Sequence, residues 1–341
     1  MLAVIRLMSA RRFVLAFALA TLLAGCAASS AAQAPVSSLA AQGVEVIYGE
    51  WRDDARNRTV PYKLYLPTSH APAPVVIFSH GLGGSREAAA FVLEYLAENG
   101  FAAVSIQHPG SDESLLGDGR PMEQLREAVR DARSAAARFG DVRFVIDQLE
   151  RETANGRFAG RFDVSRIGMS GHSYGALTTL IAVGQRPAAG AADVFRDARI
   201  DAAIVYSPNA PRNQEPGPAL AGIATPILHF TGTADRTPLD LEMTPEGRQI
   251  PFRTITGADQ YLIVFDGGDH AIFSGRVQRG GRMSPAQRAQ TEAIERETLT
   301  FWRAYLSQDA SALASMCGLP ERIAPIGVGE LKADHCAGAG R

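Results

Sequence analysis

Uninterrupted apolar runs recur through the middle of the chain, and helical segments separate them. These runs cover residues 74–79, 101–106, 202–206, 226–230 and 261–265. A strand buried on both faces has this pattern, because both rows of its side chains meet apolar layers. We therefore predict an α/β fold, with a mostly parallel central sheet flanked by helices on both faces.

The beginning of the folded region has a different pattern. Residues 44–51 and 59–66 are β-type segments on either side of a polar turn at residues 53–58. Two such segments joined by a short polar turn predict an antiparallel strand pair. We expect this pair to open the sheet.

Helical patterns cover residues 86–98, 121–150 and 288–306. In the long helix, apolar residues at the spacing i, i+3, i+4, i+7 mark a buried stripe: Val142, Val145, Ile146 and Leu149. The alternating Asp and Arg residues of the same helix are expected to form a solvated face. Residues 112–122, polar and Gly-rich, are expected to form a loop at the carboxyl edge of the sheet. No internal repeat is visible, and we predict one folded domain.

A short β-type run at residues 166–169 leads into Gly171-His-Ser-Tyr-Gly175 and then a helical stretch at residues 176–183. This is G-x-S-x-G between a strand and a helix. In this sharp turn, residues 171–175, which we call the elbow, the serine stands with its hydroxyl exposed. Side chains at positions 171 and 175 would collide with the neighbouring strand and helix. We predict that Ser173 is a nucleophile. The alternative is a Gly-rich turn with no chemical role.

A serine nucleophile needs a base and an acid that orients the base. Asp235 follows the run at residues 226–230, and His270 follows the run at residues 261–265. Both come just past the carboxyl end of a predicted strand, the edge where open α/β sheets bind ligands. We predict His270 as the base and Asp235 as the acid. Asp266 and Asp269 are alternative acids. Asp269 is expected to face solvent or to brace the loop that carries His270, which we call the histidine loop.

Other histidines are weaker candidates for the base. His229 lies inside an apolar run and is expected to be a packed strand residue. His108 follows the run at residues 101–106, where it would line the cleft, but it precedes the serine. His172 is expected to pack beneath the turn.

Backbone N–H groups are needed to bind the oxyanion that forms when an ester carbonyl is attacked. Tyr174, which follows the nucleophile, offers one such group. The Gly-rich loop at residues 79–84, Ser-His-Gly-Leu-Gly-Gly, allows a close approach of the backbone. We predict that Leu82 is the second donor, with Gly81 as the alternative. The remaining interpretation is a turn with no role.

These motifs together resemble the α/β-hydrolase superfamily. The resemblance covers residues 60–305 and is carried by FSHGLGG at 78–84, AVSIQHP at 103–109, RFGDVRFVID at 138–147 and GHSYG at 171–175. Within the superfamily, the chain resembles the platelet-activating-factor acetylhydrolase and dienelactone-hydrolase-like esterases. Dienelactone hydrolases use a cysteine nucleophile, whereas this chain has Ser173. The resemblance therefore implies a serine carboxylesterase that needs no cofactor or metal, and serine polyester hydrolases share the same elbow.

Composition narrows the possible partners. With 341 residues, 46% of them hydrophobic, the chain can bury a large core. A formal net charge of −2 gives no electrostatic footprint for nucleic acid. The sequence contains no C-x-x-C, H-E-x-x-H or GxxxxGK[ST] pattern, so it carries no metal or nucleotide signal. We expect a monomer whose partner is a small-molecule or lipid ester.

The N-terminus has the features of a targeting segment. Arg6, Arg11 and Arg12 precede an apolar run at residues 13–24, which is too short to span a bilayer comfortably. We predict a signal peptide at residues 1–25. Its end, Leu23-Ala-Gly-Cys26, resembles the lipobox of bacterial lipoproteins, which implies lipidation of Cys26 and sorting to the outer membrane. The alternative is an ordinary secretory cleavage.

The remaining boundaries follow from composition. Residues 26–42, rich in Ala, Ser and Gln, predict a flexible tether to the membrane. The catalytic domain is predicted at residues 43–308 and a C-terminal tail at residues 309–341. The tail contains Cys317 and Cys336, and two such cysteines in an exported protein usually pair, so we predict a disulfide, with free thiols as the alternative.

The sequence thus predicts a serine carboxylic-ester hydrolase that acts through an acyl-enzyme. Residues 207–225 form only a Pro-rich loop, without a long apolar lid helix, which favours short- to medium-acyl esters. Residues 239–256 are an insertion that either walls the pocket or lies on the surface. Activity is expected to fall below about pH 6.5, because the base must be neutral. The alternatives are an acyltransferase using the same acyl-enzyme, a polyester hydrolase and a non-catalytic scaffolding lipoprotein.

Overall fold

The computed structural model describes residues 38–41, 43–117, 121–188, 193–237, 239, 242–279 and 282–337. The predicted signal peptide, Cys26 and the predicted tether up to residue 37 lie outside these residues. Within them, no helix is both long enough and apolar enough to cross a membrane.

In the described part of the chain, ten strands form one sheet. In chain order they are β1 Ser38–Ala41, β2 Val44–Asp53, β3 Arg58–Pro67, β4 Ala73–Ser79, β5 Ala102–Ile106, β6 Phe162–His172, β7 Ile200–Tyr206, β8 Ile227–Ala234, β9 Gln260–Asp269 and β10 Gly327–Lys332. Their order across the sheet is β1-β2-β3-β5-β4-β6-β7-β8-β9-β10. Strands β5, β4, β6, β7, β8 and β9 run parallel to one another. The predicted parallel core is therefore confirmed.

The strands at the two sides of this parallel core are antiparallel. Strands β2 and β3 form the predicted antiparallel pair, and β3 joins the core by pairing with β5. Strand β1 pairs with β2, so residues 38–41 of the predicted tether belong to the sheet. At the other side, β10 pairs with β9, which places a strand from the predicted tail in the sheet as well.

Helices cover both faces of the sheet. In chain order they are α1 Ala90–Glu98, α2 Pro121–Arg130, α3 Ala132–Asn155, α4 Tyr174–Ala182, α5 Pro216–Leu220, α6 Ile250–Thr254, α7 Arg276–Arg279, α8 Pro285–Tyr305, α9 Ala310–Met316 and α10 Leu319–Ile323. Alternate residues of β4 point into two separate cores, Phe78 with α1 and α8, and Ile77 with α3 and α4. Both faces are therefore apolar, which is why the parallel strands read as uninterrupted apolar runs.

The predicted helix at residues 121–150 is in fact two helices, α2 and α3. They are separated at Asp131, whose side chain accepts hydrogen bonds from the Arg133 and Ser134 N–H groups and caps α3. The stretch predicted as a loop at residues 112–122 contains a 3-10 helix, Glu113–Leu116, and the start of α2. Helix periodicity continued across the break, so the sequence pattern did not reveal it.

The C-terminal tail packs onto the domain rather than extending from it. Cys317 and Cys336 form a disulfide, which confirms the predicted pairing. Arg322 of α10 donates to the buried Glu297 carboxylate of α8, with Nη2 to Oε2 at 2.7 Å. The tail is therefore part of the same folded unit as β9 and α8.

Candidate active site

Ser173 lies at the junction of β6 and α4, in a strained backbone conformation. Its φ is 56° and its ψ is −110°, a combination that non-glycine residues rarely adopt. The Ser173 N–H donates to the Tyr206 carbonyl oxygen at the end of β7, at 2.9 Å. The turn is therefore held by the neighbouring strand, and Ser173 remains partly exposed.

The two glycines of the elbow are required by close backbone contacts. A Cβ at Gly175 would lie 1.8 Å from the Ser79 carbonyl oxygen, and a Cβ at Gly171 would lie 2.3 Å from the Gly175 carbonyl oxygen. Both distances are far below van der Waals contact. Only glycine fits at these positions, as the sequence predicted.

His270 and Asp235 form a hydrogen-bonded pair. Asp235 follows β8 and His270 follows β9, and His270 Nδ1 lies 2.7 Å from Asp235 Oδ1. Asp235 is fully buried, whereas the His270 side chain is 20% exposed. Of the alternative acids, Asp266 is exposed, and Asp269 accepts hydrogen bonds from the Ala271 and Ile272 N–H groups. Asp269 thus braces the histidine loop, one of its two predicted roles.

The Asp235 carboxylate is held by four side chains. Besides His270, it contacts Arg248 Nε at 2.8 Å through Oδ1, and it accepts hydrogen bonds through Oδ2 from Ser207 at 2.6 Å and Thr231 at 2.8 Å. Burial by itself raises the pKa of this carboxyl, but the hydrogen bond from His270 and the charge of Arg248 outweigh it and hold the pKa below its usual value. Asp235 is therefore ionised at neutral pH.

His172 connects the elbow to the histidine loop. Its Nε2 lies 3.0 Å from the His270 carbonyl oxygen, and because a carbonyl only accepts, Nε2 carries the proton. The centroids of the two rings are 4.5 Å apart. Burial, followed by the charge of His270, lowers the pKa of His172 well below its usual value, so the ring is neutral. The residue before Ser173 thus fixes the main chain of His270, and its buried position agrees with the prediction.

The loop after β4 lies against the elbow. A Cβ at Gly81 would lie 3.5 Å from the Ser173 Cβ, so this loop and the nucleophile are in direct proximity. Hydrogen bonds from Gly84 N–H to the Gly81 carbonyl and from Gly83 N–H to the Ser111 carbonyl, both at 3.0 Å, fix the loop. Within the described part of the chain, neither the Leu82 N–H nor the Tyr174 N–H donates a hydrogen bond. Both amides are available to a ligand oxygen.

Beneath this loop lies a buried arginine, Arg138 of α3. It donates hydrogen bonds to oxygen atoms from three segments: Ser79 Oγ, the His80 carbonyl, Ser111 Oγ and Thr178 Oγ1. Its guanidinium carbon also lies 4.6 Å from the centroid of the Tyr174 ring. Arg138 thus ties the loop to the helix that follows Ser173.

Asp141 is the second buried charge of α3. It pairs with Arg58, with Nε to Oδ1 at 2.7 Å and Nη2 to Oδ2 at 2.8 Å, and it contacts His108. The prediction of a solvated Asp/Arg face was wrong for Arg138 and Asp141. Distant segments supply a charged partner for Asp141 and hydrogen-bond acceptors for the N–H groups of Arg138.

His108 and His229 are structural residues in this arrangement. His108 is fully buried rather than in the cleft, which corrects the prediction, and its two ring nitrogens contact Ser79 Oγ and Asp141 Oδ2. His229 is buried on β8, as predicted, with its Nε2 3.1 Å from Gln260 Oε1. Neither side chain is exposed to a ligand.

One group of side chains has the composition of a metal site. Cys317, His335 and Cys336 lie close together, but both sulfur atoms belong to the disulfide. Because a metal binds thiolates, this group has no free sulfur ligand to offer.

Sequence reasoning missed Arg248, which belongs to the insertion at residues 239–256. No pattern distinguishes it from Arg253 in the same insertion, yet Arg248 is fully buried and the Arg253 side chain is 47% exposed.

No protein-family model matches this chain, and no curated protein matches its sequence. We therefore infer the function of this chain from the geometry of the site.

Proposed function

We propose that this chain is a serine carboxylic-ester hydrolase of the α/β-hydrolase fold, with Ser173, His270 and Asp235 as its catalytic triad. Two observations carry the proposal: the His270–Asp235 hydrogen bond, at 2.7 Å, and the strained strand-to-helix turn that presents Ser173. His172 links the two, since it precedes the serine and contacts the main chain of His270.

In the proposed mechanism, Ser173 Oγ attacks the ester carbonyl carbon while His270 Nε2 takes the hydroxyl proton. The carbonyl oxygen becomes an oxyanion and accepts hydrogen bonds from the Leu82 and Tyr174 N–H groups. His270 then gives its proton to the leaving alcohol, and an acyl-enzyme remains. Water attacks this ester with the same help from His270, which releases the acid and restores Ser173.

Asp235 acts through His270 and does not take up the proton. The hydrogen bond from Nδ1–H to Oδ1 fixes the tautomer in which Nε2 has a free lone pair. The carboxylate also stabilises the imidazolium that forms during proton transfer. Ser207 and Thr231 hold the other oxygen, so the carboxylate cannot rotate away from His270.

The proposed substrates are esters with short to medium acyl chains. The segment at residues 207–225 contains only one short helix, α5, and this supports an open site. We further propose that the protein is exported and anchored to the outer membrane by a lipid on Cys26. The Cys317–Cys336 disulfide supports export, because such bonds persist in oxidising compartments.

The test is hydrolysis of p-nitrophenyl esters, from acetate to palmitate, by the chain from residue 27 onward, which keeps β1. We expect turnover that is highest for short chains and that is lost in the Ser173→Ala variant. A serine-reactive fluorophosphonate labels the wild type and not the variant. Absence of both turnover and labelling in a folded wild type would contradict the proposal. Labelling without hydrolysis, together with acyl transfer to added alcohols, would instead favour an acyltransferase.

A further inference from the structure

The insertion between Asp235 and His270 contains a buried arginine that contacts Asp235. Arg248 lies in the 3-10 helix Gly247–Gln249, and its side chain is 0% exposed. Its Nε lies 2.8 Å from Asp235 Oδ1 and 2.9 Å from the Asp235 carbonyl oxygen. Its Nη1 donates to the Ser207 carbonyl at 3.0 Å and to Asn209 Oδ1 at 2.7 Å. Arg248 therefore holds Asp235 and the loop after β7 together.

Arg248 and His270 contact the same carboxylate oxygen. Oδ1 lies 2.7 Å from His270 Nδ1 and 2.8 Å from Arg248 Nε. In general, an unpaired carboxylate beside a histidine favours the protonated imidazolium and raises the pKa of the histidine by about 1–3 units. A permanent positive charge at that oxygen opposes this effect, because it repels the proton that the carboxylate attracts.

We propose that Arg248 is a positioning residue of the proposed esterase, which balances the charge of Asp235 and thereby keeps His270 neutral at lower pH. The inference rests on the proposed function. The hydrogen bond to Asp235 still orients the imidazole, while the arginine limits how strongly the carboxylate stabilises the imidazolium. Through Arg248, the insertion thus sets the pH below which activity is lost.

Among the described residues, His172 and Asp269 also lie next to the Asp235–His270 pair. His172 approaches from the elbow with Nε2 on the His270 carbonyl, and its burial keeps it neutral. Asp269 precedes His270, and its carboxylate accepts the Ala271 and Ile272 N–H groups. Neither brings a positive charge to Oδ1, so within the described residues Arg248 is the cation that contacts this oxygen.

The experiment measures kcat/KM against pH from 5 to 8 for the wild type and for Arg248→Gln, Arg248→Met and Arg248→Lys. We expect the midpoint of the acidic limb to rise by about one pH unit in the two charge-free variants. Arg248→Lys keeps the charge and should keep the wild-type midpoint. Arg253→Gln is the matched control, because Arg253 lies in the same insertion but pairs with Glu330 on the surface.

A purely structural role of Arg248 would lower kcat at every pH and leave the midpoint unchanged, and that result would overturn the proposal. Circular dichroism checks that each variant is folded. A raised midpoint in a folded Arg248→Lys variant, which keeps the charge, would also overturn the proposal.

A second measurement does not require activity. The His270 ring proton is followed by NMR across the same pH range in Ser173→Ala, with and without Arg248→Gln. A midpoint of the His270 titration that lies about one pH unit higher in the double variant supports the role of Arg248, even if the chain hydrolyses no ester. No shift in the folded double variant overturns it, whatever the activity of the wild type.

Discussion

The hydroxyl oxygen of Ser79 lies 3.0 Å from Nε2 of His108, and neither residue is exposed. His108 Nδ1 lies 2.9 Å from Asp141 Oδ2, so these three residues repeat the contact order of a serine triad inside the core. Arg138 also donates to the Ser79 hydroxyl, at 2.8 Å. Burial and the charge of Arg138 lower the pKa of His108 to about 4. The buried set is a structural network, because no substrate reaches it.

We predict that the two serines differ completely in reactivity. A fluorophosphonate labels the Ser79→Ala variant at a rate close to that of the wild type, because Ser173 is unchanged. Peptide mapping by mass spectrometry finds the label on Ser173 in both proteins. A label on Ser79, or labelling that survives in Ser173→Ala, would show that the nucleophile has been assigned incorrectly.

Asp235 and Asp269 should respond differently to the same substitution. Asp235→Asn presents an amide to His270 and favours the wrong tautomer, so kcat should fall by about 10³- to 10⁴-fold. Asp269→Asn alters only a carboxylate that accepts two backbone N–H groups, and kcat should fall far less. Steady-state kinetics on one short-chain ester compare the two. A larger loss in Asp269→Asn would make Asp269 the acid.

The close packing of the elbow predicts that one added methyl group strongly destabilises the folded protein. In Gly175→Ala, the new Cβ would meet the Ser79 carbonyl oxygen at 1.8 Å, so the free energy of unfolding should fall by at least about 3 kcal/mol. Gly217→Ala in α5 is the control, because a Cβ there meets no atom within 4 Å. Urea denaturation measures both. Equal stability of the two variants would mean that the strand and the elbow are not in contact.

Buried histidines predict how stability depends on pH. His80, His108, His172 and His229 are all buried, and burial lowers the pKa of each, to about 4 for His108 and about 3 for His229. The unfolded chain binds these protons near pH 6.5, but the folded chain does so only at lower pH. The free energy of unfolding should therefore fall as the pH drops from about 6.5 towards 4, by up to ~1.4 kcal/mol per pH unit for each histidine.

Urea unfolding at pH 7, 6 and 5 measures this slope. His229→Gln should reduce it by about one histidine's contribution, and the same change at His70, which is exposed, is the control. A slope that stays the same in His229→Gln would contradict a neutral, buried His229. Folding should be checked at every pH at which activity is compared.

The central strands could be predicted from the sequence because their burial on both faces leaves a continuous apolar run. Residues 202–206, for example, correspond to β7, Ile200–Tyr206. The elbow could be predicted because its glycines are required by contacts within one turn and its neighbouring strand. Strand β10 was missed, because an edge strand of mixed burial has no such run.

Buried charges could not be predicted from local patterns. Asp141 is buried because Arg58 lies beside it, although the two are 83 residues apart in the chain. Arg248 is likewise defined by Asp235 and the loop after β7. In each case the burial of a charge depends on a partner that only the tertiary structure brings close.

The close glycine contacts at the elbow also bear on how such a protein can acquire new specificities. Gly175 touches the strand that carries the Gly81–Leu82 loop, and His172 joins the same elbow to His270, so the groups that perform chemistry form one rigid frame. The segment at residues 210–218 follows β7 and carries none of the residues of this frame. Loops there can be exchanged or lengthened, whether by evolution or by a protein engineer, while the frame is inherited unchanged.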